Sequence, residues 1–343
     1  MIADGTIDTA DLKDSSVTSA KIADGTIATA DLANQAVTNQ KLGTDTARLN
    51  LLTNGGFEIW QRGNGPFTTN GGFSADRWQI YIPQGTFSVS RDTANADSPS
   101  SFCAAITATG GTTPSAQQFY QYPFASADGG SGYQYAGRTL TVSARVKTTT
   151  ANAVRLLLNP TGGTPAYSAY HSGGGTYQTL SATVTMPATV SAAILTIAIN
   201  IEASCTAYLD NAMLVVGSVP ADYAPLHPAD DLARCLRYYQ RFAASGSSQI
   251  FATGQCYLGN TAIFNVPYSA KAATASFTVS AASDFNILAA NAGGLACTGL
   301  NAGPSSNYHF YLSGTVSSGL VAGNATSLQA VSSNAWYALE SNP

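Results

Sequence analysis

Three histidines and 19 acidic residues are spread along the 343-residue chain, and their spacing decides which chemistries the sequence can carry. His171 precedes a glycine run, His227 sits among prolines, and His309 lies in a strand-like stretch. None falls into HExxH or another metal-ligand spacing. There is no GxSxG elbow, no Walker loop and no GxGxxG. Paired carboxylates could serve glycoside hydrolysis, yet no Asp or Glu spacing singles out a pair. The five cysteines (Cys103, Cys205, Cys235, Cys256, Cys297) are odd in number, widely spaced and free of CxxC. They read as buried thiols of a protein made in a reducing compartment.

The more informative chemistry is aromatic. Sugars are held by aromatic faces with nearby amide and carboxylate hydrogen bonds, and the chain has 17 Tyr. Loop-like candidates are Tyr133 and Tyr135 in Gly-Tyr-Gln-Tyr, and Tyr167, Tyr170 and His171 before the glycine run. The competing reading is a rim tyrosine that satisfies its hydroxyl locally.

Composition bounds the partners. Charged residues are 10% and apolar residues 45%, with a net charge of −4. Disorder needs the opposite balance. No basic footprint for nucleic acid exists, no apolar run reaches the length of a membrane span, and no secretion signal opens the chain.

The elements that must position any site fall into four segments. Residues 1–46 repeat every ten residues: DGTIDTADLK, DSSVTSAKIA, DGTIATADLA, NQAVTNQKLG. Ile7, Leu12, Val17, Ile22, Ile27, Leu32, Val37 and Leu42 recur every fifth position. That period fits neither helix nor strand. A short extended piece followed by one helical turn, capped by a hydroxyl at its start, restores the phase every ten residues. So thin an apolar stripe needs neighbours, which points to other copies around a common axis. Met1–Ile7 matches Lys21–Ile27, so the chain begins inside a repeat; a preceding segment, or docking of the N-terminus onto another protein, is expected.

Residues 49–218 read as an all-β domain. Leu140, Val142, Ala144 and Val146 alternate with polar residues, as do Leu180, Ala182, Val184 and Met186, and Ile197, Ile199 and Ile201. Gly/Ser/Pro loops between them predict a sandwich or jelly roll. Residues 219–246 hold a Pro-marked linker and a helix from Pro228 to about Phe242, with Leu232, Cys235, Leu236, Tyr239 and Phe242 as its apolar stripe. Residues 247–343 predict a smaller C-terminal β-sandwich.

Several of these motifs resemble tailed-bacteriophage fibre and receptor-binding proteins. The ten-residue repeats are similar to their shaft repeats. The run from Leu51 to Gly63, with Ser74-Ala75-Asp76-Arg77-Trp78, resembles the opening of their central domain, itself similar to carbohydrate-binding-module jelly rolls. Ala136–Ser143 fits one of its strands, and Tyr223-Ala224-Pro225 with the run Leu232–Tyr239 resembles the exit from it. The chain departs from the pattern at Tyr268-Ser269-Ala270-Lys271-Ala272, where relatives often carry Met-Arg-x-x-Pro.

The resemblance implies a mainly β, parallel homotrimer on a virion, made in the host bacterial cytoplasm and contacting a host glycan or protein. By the same resemblance Glu58 and Asp210 become candidate ligands of a structural calcium, since Ca²⁺ takes hard oxygen donors; no other cofactor is required. Trp60 and Trp78 are expected in the core. Three functions fit: a non-enzymatic fibre that recognises a host surface, a purely structural head, neck or tail appendage, and a polysaccharide-depolymerising tailspike.

Overall fold

In the repeat, apolar residues follow turns. The computed structural model describes residues 8–33, 49–110, 116–124, 134–188, 195–290, 292–305 and 309–341. Short 3-10 turns at Thr9–Asp11, Ser19–Lys21 and Thr29–Asp31 keep the ten-residue spacing. Between them the chain turns again, with Ser16 N–H donating to the Lys13 carbonyl and Thr26 N–H to the Ala23 carbonyl. Gly25 and Ser15 both take positive φ there (75° and 64°), a conformation that glycine adopts at little cost. Two turns per ten residues thus yield one apolar residue every five.

Carboxylates cap two of the three turns. Asp11 and Asp31 reach back to the N–H groups of Asp8 and Ala28, and Thr18 makes no side-chain cap. An anion is the better acceptor for free N–H groups at a turn's start. Leu12, Val17, Ile22, Ile27 and Leu32 stand 41–56% exposed. Ile7, Val37 and Leu42 lie outside the described residues.

The chain divides into two compact units, Met1–Gly43 and Thr44–Pro343. In the second, the strands run in chain order as β1 (Gln79–Tyr81), β2 (Thr86–Asp92), β3 (Cys103–Thr109), β4 (Gln117–Gln121), β5 (Thr139–Thr148), β6 (Val154–Pro160), β7 (Ala166–Tyr167), β8 (Tyr177–Thr185), β9 (Leu195–Ile201) and β10 (Cys205–Val216). They form two five-stranded antiparallel sheets, β1-β4-β9-β6-β7 and β2-β3-β10-β5-β8, packed as a jelly roll. The alternation that predicts this is realised, with Leu140, Val142, Ala144 and Val146 all buried.

Thr141 and Ser143, on the other face of β5, are buried too. The reason is the linker. Thr141 donates to the Gly217 carbonyl and Ser143 to that of Ala221, while Ala221 and Tyr223 pack on Met213 and Val215. Phe57, Trp78 and Phe119 meet at ring distances of 4.9–6.0 Å in the core, and Trp60 is buried beside Phe67. Both tryptophans are therefore packing residues, as expected.

The helix is shorter than its sequence pattern predicts. It spans Pro228–Leu236 (α1), with Pro228 in the first turn and His227 Nδ1 accepting from Ala229 N–H. Tyr239–Ala243 is instead a strand, β11, paired with a strand at Trp336–Glu340. Tertiary contacts override the helical spacing: Tyr238 and Tyr239 are each stacked 3.6 Å beneath a guanidinium, of Arg77 and Arg62 respectively. Among the helix's own apolar residues Cys235 is buried and Leu232 is 41% exposed.

The C-terminal part adds β12 (Ile250–Leu258), β13 (Thr261–Pro267), β14 (Ser276–Val279), β15 (Phe285–Ala289), β16 (Gly293–Ala296), β17 (Gly299–Ser305), β18 (His309–Thr315), β19 (Ala325–Ala330) and β20 (Trp336–Glu340). It is not a smaller version of the first sandwich. A seven-stranded sheet, β16-β15-β19-β12-β13-β18-β17, curls as a half-barrel, and the three-stranded sheet β11-β20-β14 packs against it. Tyr337 is the hub, fully buried with ring contacts to Phe242, Phe251 and Phe277.

The joint between jelly roll and C-terminal module is built from residues of the Leu51–Gly63 and Ser74–Trp78 runs. Arg62 pairs with Glu340 at 2.9 Å and lies 3.8 Å from Asp76. Gln61 donates from its backbone and side chain to Asp76, and from its side chain to the Tyr239 carbonyl. Lys271, at the departure from the fibre pattern, is buried and donates to the Leu236 carbonyl and Gln240 Oε1. Burial pushes its ammonium down to about 8.

Candidate functional site

The sheet β1-β4-β9-β6-β7 buries one face and turns the other outward, because strand side chains alternate. Ile80, Phe119, Ile199 and Leu156 belong to the core. The cross-strand register then fixes the outward rows. One runs Gln79, Tyr120, Ala198, Leu157, Tyr167; the other runs Tyr81, Gln118, Asn200, Arg155. Small or aliphatic residues form the middle of the first row, and tyrosines stand on either side of them. Five strands at the usual spacing make this face roughly 19 Å wide.

Its polar groups are tied into one network. Gln118 Nε2 donates to Asn200 Oδ1 at 3.0 Å, and Asn200 Nδ2 donates to Glu202 Oε1 at 2.7 Å. Arg155 Nε donates to the same oxygen at 2.7 Å, while the Tyr170 hydroxyl donates to Oε2 at 2.6 Å. The Arg155 guanidinium lies 3.9 Å from the Tyr167 ring centre and 4.7 Å from that of Tyr170. The side chains of Arg155 and Glu202 are 20% and 4% exposed, so this pair is screened little by water. A network of this kind holds its amide and guanidinium groups in place before any ligand arrives.

On the opposite flank Tyr120 and Tyr122 meet edge to face at 5.1 Å, and Tyr81 is 46% exposed. Burial, with the Tyr122 and Tyr81 hydroxyls close by, pushes the Tyr120 phenol up, so it stays a neutral donor at physiological pH. The face therefore carries tyrosine rings at both edges and a row of oriented donors and acceptors alongside, while Ala198 and Leu157 between the rings are themselves buried, 0% and 5% exposed.

The structure sorts the residues expected from sequence. Tyr167 and Tyr170 stand together on this face. Tyr133 lies outside the described residues. Tyr135 stacks on Phe124 at 4.4 Å and packs against the core, so it is a packing residue. His171 is 1% exposed. Its Nε2 lies within hydrogen-bond distance of the carbonyls of Val146 and Thr176, and its Nδ1 accepts from Gly173 N–H, which makes it a loop anchor.

Glu58 and Asp210 both hold the loop at 97–101. Glu58 Oε1 accepts from Ser101 N–H, and the Asp210 oxygens accept from the N–H groups of Asp97 and Asn211. Burial pushes the Asp210 carboxyl up to about 7. Among the described residues no group of three or more His, Cys, Asp or Glu converges on a metal position. All five cysteines are free and buried, and burial lifts the Cys205 thiol to about 11.

Sequence reasoning missed Tyr81, Gln118, Tyr120, Tyr122, Arg155, Asn200 and Glu202. The signal was the two-residue alternation Gln118-x-Tyr120-x-Tyr122 and Asn200-x-Glu202. Gln117 and Gln121 obscured it: both are polar yet buried, bonded to backbone at the far side of β4.

No family model matches the chain, and no curated protein matches it. Among solved structures, a Stig cyclase, Fisc, from Fischerella sp. TAU is similar over 49% of this chain and 96% of its own, with 13% identity and a TM-score of 0.35. The CBM22-1 xylan-binding domain from a Paenibacillus barcinonensis protein is similar over 51% of this chain and 99% of its own, with 12% identity and a TM-score of 0.34. The enzymatically active domain of tailspike protein 4 from Bacteriophage CBA120 is similar over 49% of this chain and 21% of its own, with 16% identity and a TM-score of 0.31. These are likenesses to its jelly-roll sandwich.

Proposed function

We propose that this chain is a non-enzymatic fibre of a tailed-bacteriophage particle that recognises a host-surface glycan on the outward face of β1-β4-β9-β6-β7. The observation that carries the glycan reading is the pair of tyrosine groups on either side of Ala198 and Leu157, beside the Gln118–Asn200–Arg155–Glu202 network. A sugar ring has one face of C–H groups and a rim of hydroxyls. Its faces suit the tyrosine rings, and its rim suits amides and a guanidinium that donate and accept in fixed directions.

The fibre reading rests on the motif resemblance and on the repeat. Leu12, Val17, Ile22, Ile27 and Leu32 are apolar and exposed within one chain. Burial against two parallel copies would remove that exposure. The N-terminal end then joins another virion protein.

Non-enzymatic binding is favoured over depolymerisation by the carboxylates. Glycoside hydrolysis needs two of them facing one bond. Among the described residues of this face Glu202 is the one carboxylate, and its oxygens are engaged by Arg155, Asn200 and Tyr170.

The test is retention on a panel of immobilised capsular and lipopolysaccharide glycans. Tyr120→Ala and Tyr167→Ala should each weaken retention roughly tenfold, the loss expected for one aromatic contact of about 1.4 kcal/mol. No new reducing ends should appear. Retention that survives both substitutions moves the site elsewhere, silence across all host glycans favours a purely structural appendage, and released reducing ends make it a tailspike.

A further inference from the structure

The C-terminal module is almost without charge. From Gln249 to Ser341 the sequence has three charged residues, Lys271, Asp284 and Glu340. Lys271 is buried against the helix end, and Glu340 pairs with Arg62 of the jelly roll. Asp284 closes a short 3-10 turn at the start of β15, where its carbonyl accepts from Val331 N–H. None of the three lies on the outward face of the seven-stranded sheet.

The strand register spells out that face. Across five strands one row reads Leu288, Ser327, Thr253, Asn265, Tyr311. Gln255, Ile263 and Ser313 stand in the next row. Phe264, Leu312, Leu328 and Ile287 point the other way, into the core. Two depressions of about 450 and 430 Å³ open on the outward side, and Thr253 and Gly254 line both. A Cβ at Gly254 would meet the Ile263 carbonyl oxygen at 1.9 Å, so the chain passes close to its neighbour at that point. Exposed apolar residues cluster at one end of β12, where Tyr257 and Leu258 are 58% and 51% exposed and Val321 is 50% exposed. The backbone of Cys256 is hydrogen-bonded to Gly323 and Asn324, which brings these residues together.

We infer that this outward face is where copies of the chain meet one another. Ordinary soluble domains are about a quarter charged residues, and such charges keep molecules apart. A face of hydroxyls, amides and aliphatic groups has no ions to desolvate and no like charges to repel, which is the composition of an interface centre. A charged partner would leave its own ions unpaired against this face. A second copy brings none. Asn, Gln, Ser, Thr and Tyr side chains each donate and accept, so such a face can satisfy itself across a rotational axis. The contact is independent of the glycan reading, and of whether the repeats associate.

The experiment uses the full chain with Asn265→Cys, the native cysteines being buried. Thiol labelling by a soluble maleimide is compared with Ser181→Cys, an exposed position on β8, and copies are cross-linked with a bismaleimide. Expected are inter-copy cross-links at Asn265→Cys and labelling roughly tenfold slower than at Ser181→Cys, equivalent to about 1.4 kcal/mol of protection. Equal labelling without cross-links overturns the proposal, as does a monomeric native mass for the full chain. A parallel Ala20→Cys variant reports on the repeat. Cross-links at Asn265→Cys without any at Ala20→Cys keep the face and remove the repeat as the associating element. A charge-bearing Asn265→Glu/Ser327→Glu double variant, its fold checked by circular dichroism, should lose the association of C-terminal modules.

Discussion

Replacing Arg62 with alanine removes the cation that three groups share. The guanidinium is 2.9 Å from Glu340, 3.8 Å from Asp76 and stacked 3.6 Å on Tyr239, with its side chain 12% exposed. Its largest effect runs through Asp76, which is 1% exposed. Burial lifts that carboxyl from 3.8 to about 6 even though Arg62 and Gln61 pull it down. The rise corresponds to about 3 kcal/mol of ionisation cost already carried by the folded protein. Because the folded value is the raised one, the contribution of Asp76 to stability is greatest below 3.8 and declines as pH climbs to about 6; above that its cost is fully present.

Arg62→Ala should push Asp76 higher still and destabilise the protein by about 3–5 kcal/mol at pH 7.5, the cost of leaving a buried charge without its partner. At pH 5 Asp76 is mostly protonated, so the cost should shrink to about 1–2 kcal/mol, the loss of the Tyr239 stack. Arg62→Ala/Asp76→Asn should recover much of the difference at pH 7.5. Urea unfolding followed by tryptophan fluorescence reads both sides of the joint, since Trp60 and Trp78 lie in the jelly roll and Trp336 lies in β20. A cost under about 1 kcal/mol at pH 7.5, or the same cost at both pH values, would refute the reasoning.

Other substitutions separate folding from binding. His171→Ala removes a buried loop anchor and should cost about 2–4 kcal/mol by denaturant unfolding, with glycan retention of the folded fraction unchanged. Gly254→Ala forces a Cβ against the Ile263 carbonyl and should destabilise the C-terminal module by at least about 2 kcal/mol, seen as a lower unfolding midpoint, without affecting the jelly roll. Asp210 titrates in the same sense as Asp76, so its contribution to stability should fall between pH 3.8 and about 7, read as a shift of the urea midpoint across that window.

Much of the scaffold was legible because burial follows side-chain period. Leu140 to Val146 and Leu180 to Met186 alternate cleanly where one sheet face meets the core. The ten-residue repeat announced its turns, and Asp11 and Asp31, the last residues of two of them, accept from the N–H groups just before each turn. What escaped was set by contacts distant in sequence. Tyr239 and Phe242 fit a helical stripe, yet Arg62, far upstream, and β20, far downstream, draw that stretch into a strand.

The candidate site was half legible for the same reason. Tyr167 and Tyr170 advertise themselves beside a glycine run. Gln118, Arg155, Asn200 and Glu202 are scattered over 85 positions of sequence, and only the pairing of β4, β9 and β6 makes them neighbours. His171 shows the converse error: its loop position suggested a ligand contact, and its ring is spent on backbone groups.

The most direct test of the account is a structure of the chain with the oligosaccharide that it retains most strongly. The prediction is a sugar chain lying across Ala198 and Leu157, with rings against Tyr120 or Tyr167 and hydroxyls bonded to Gln118, Asn200 or Arg155. A ligand seated elsewhere, with this face bare, would contradict it.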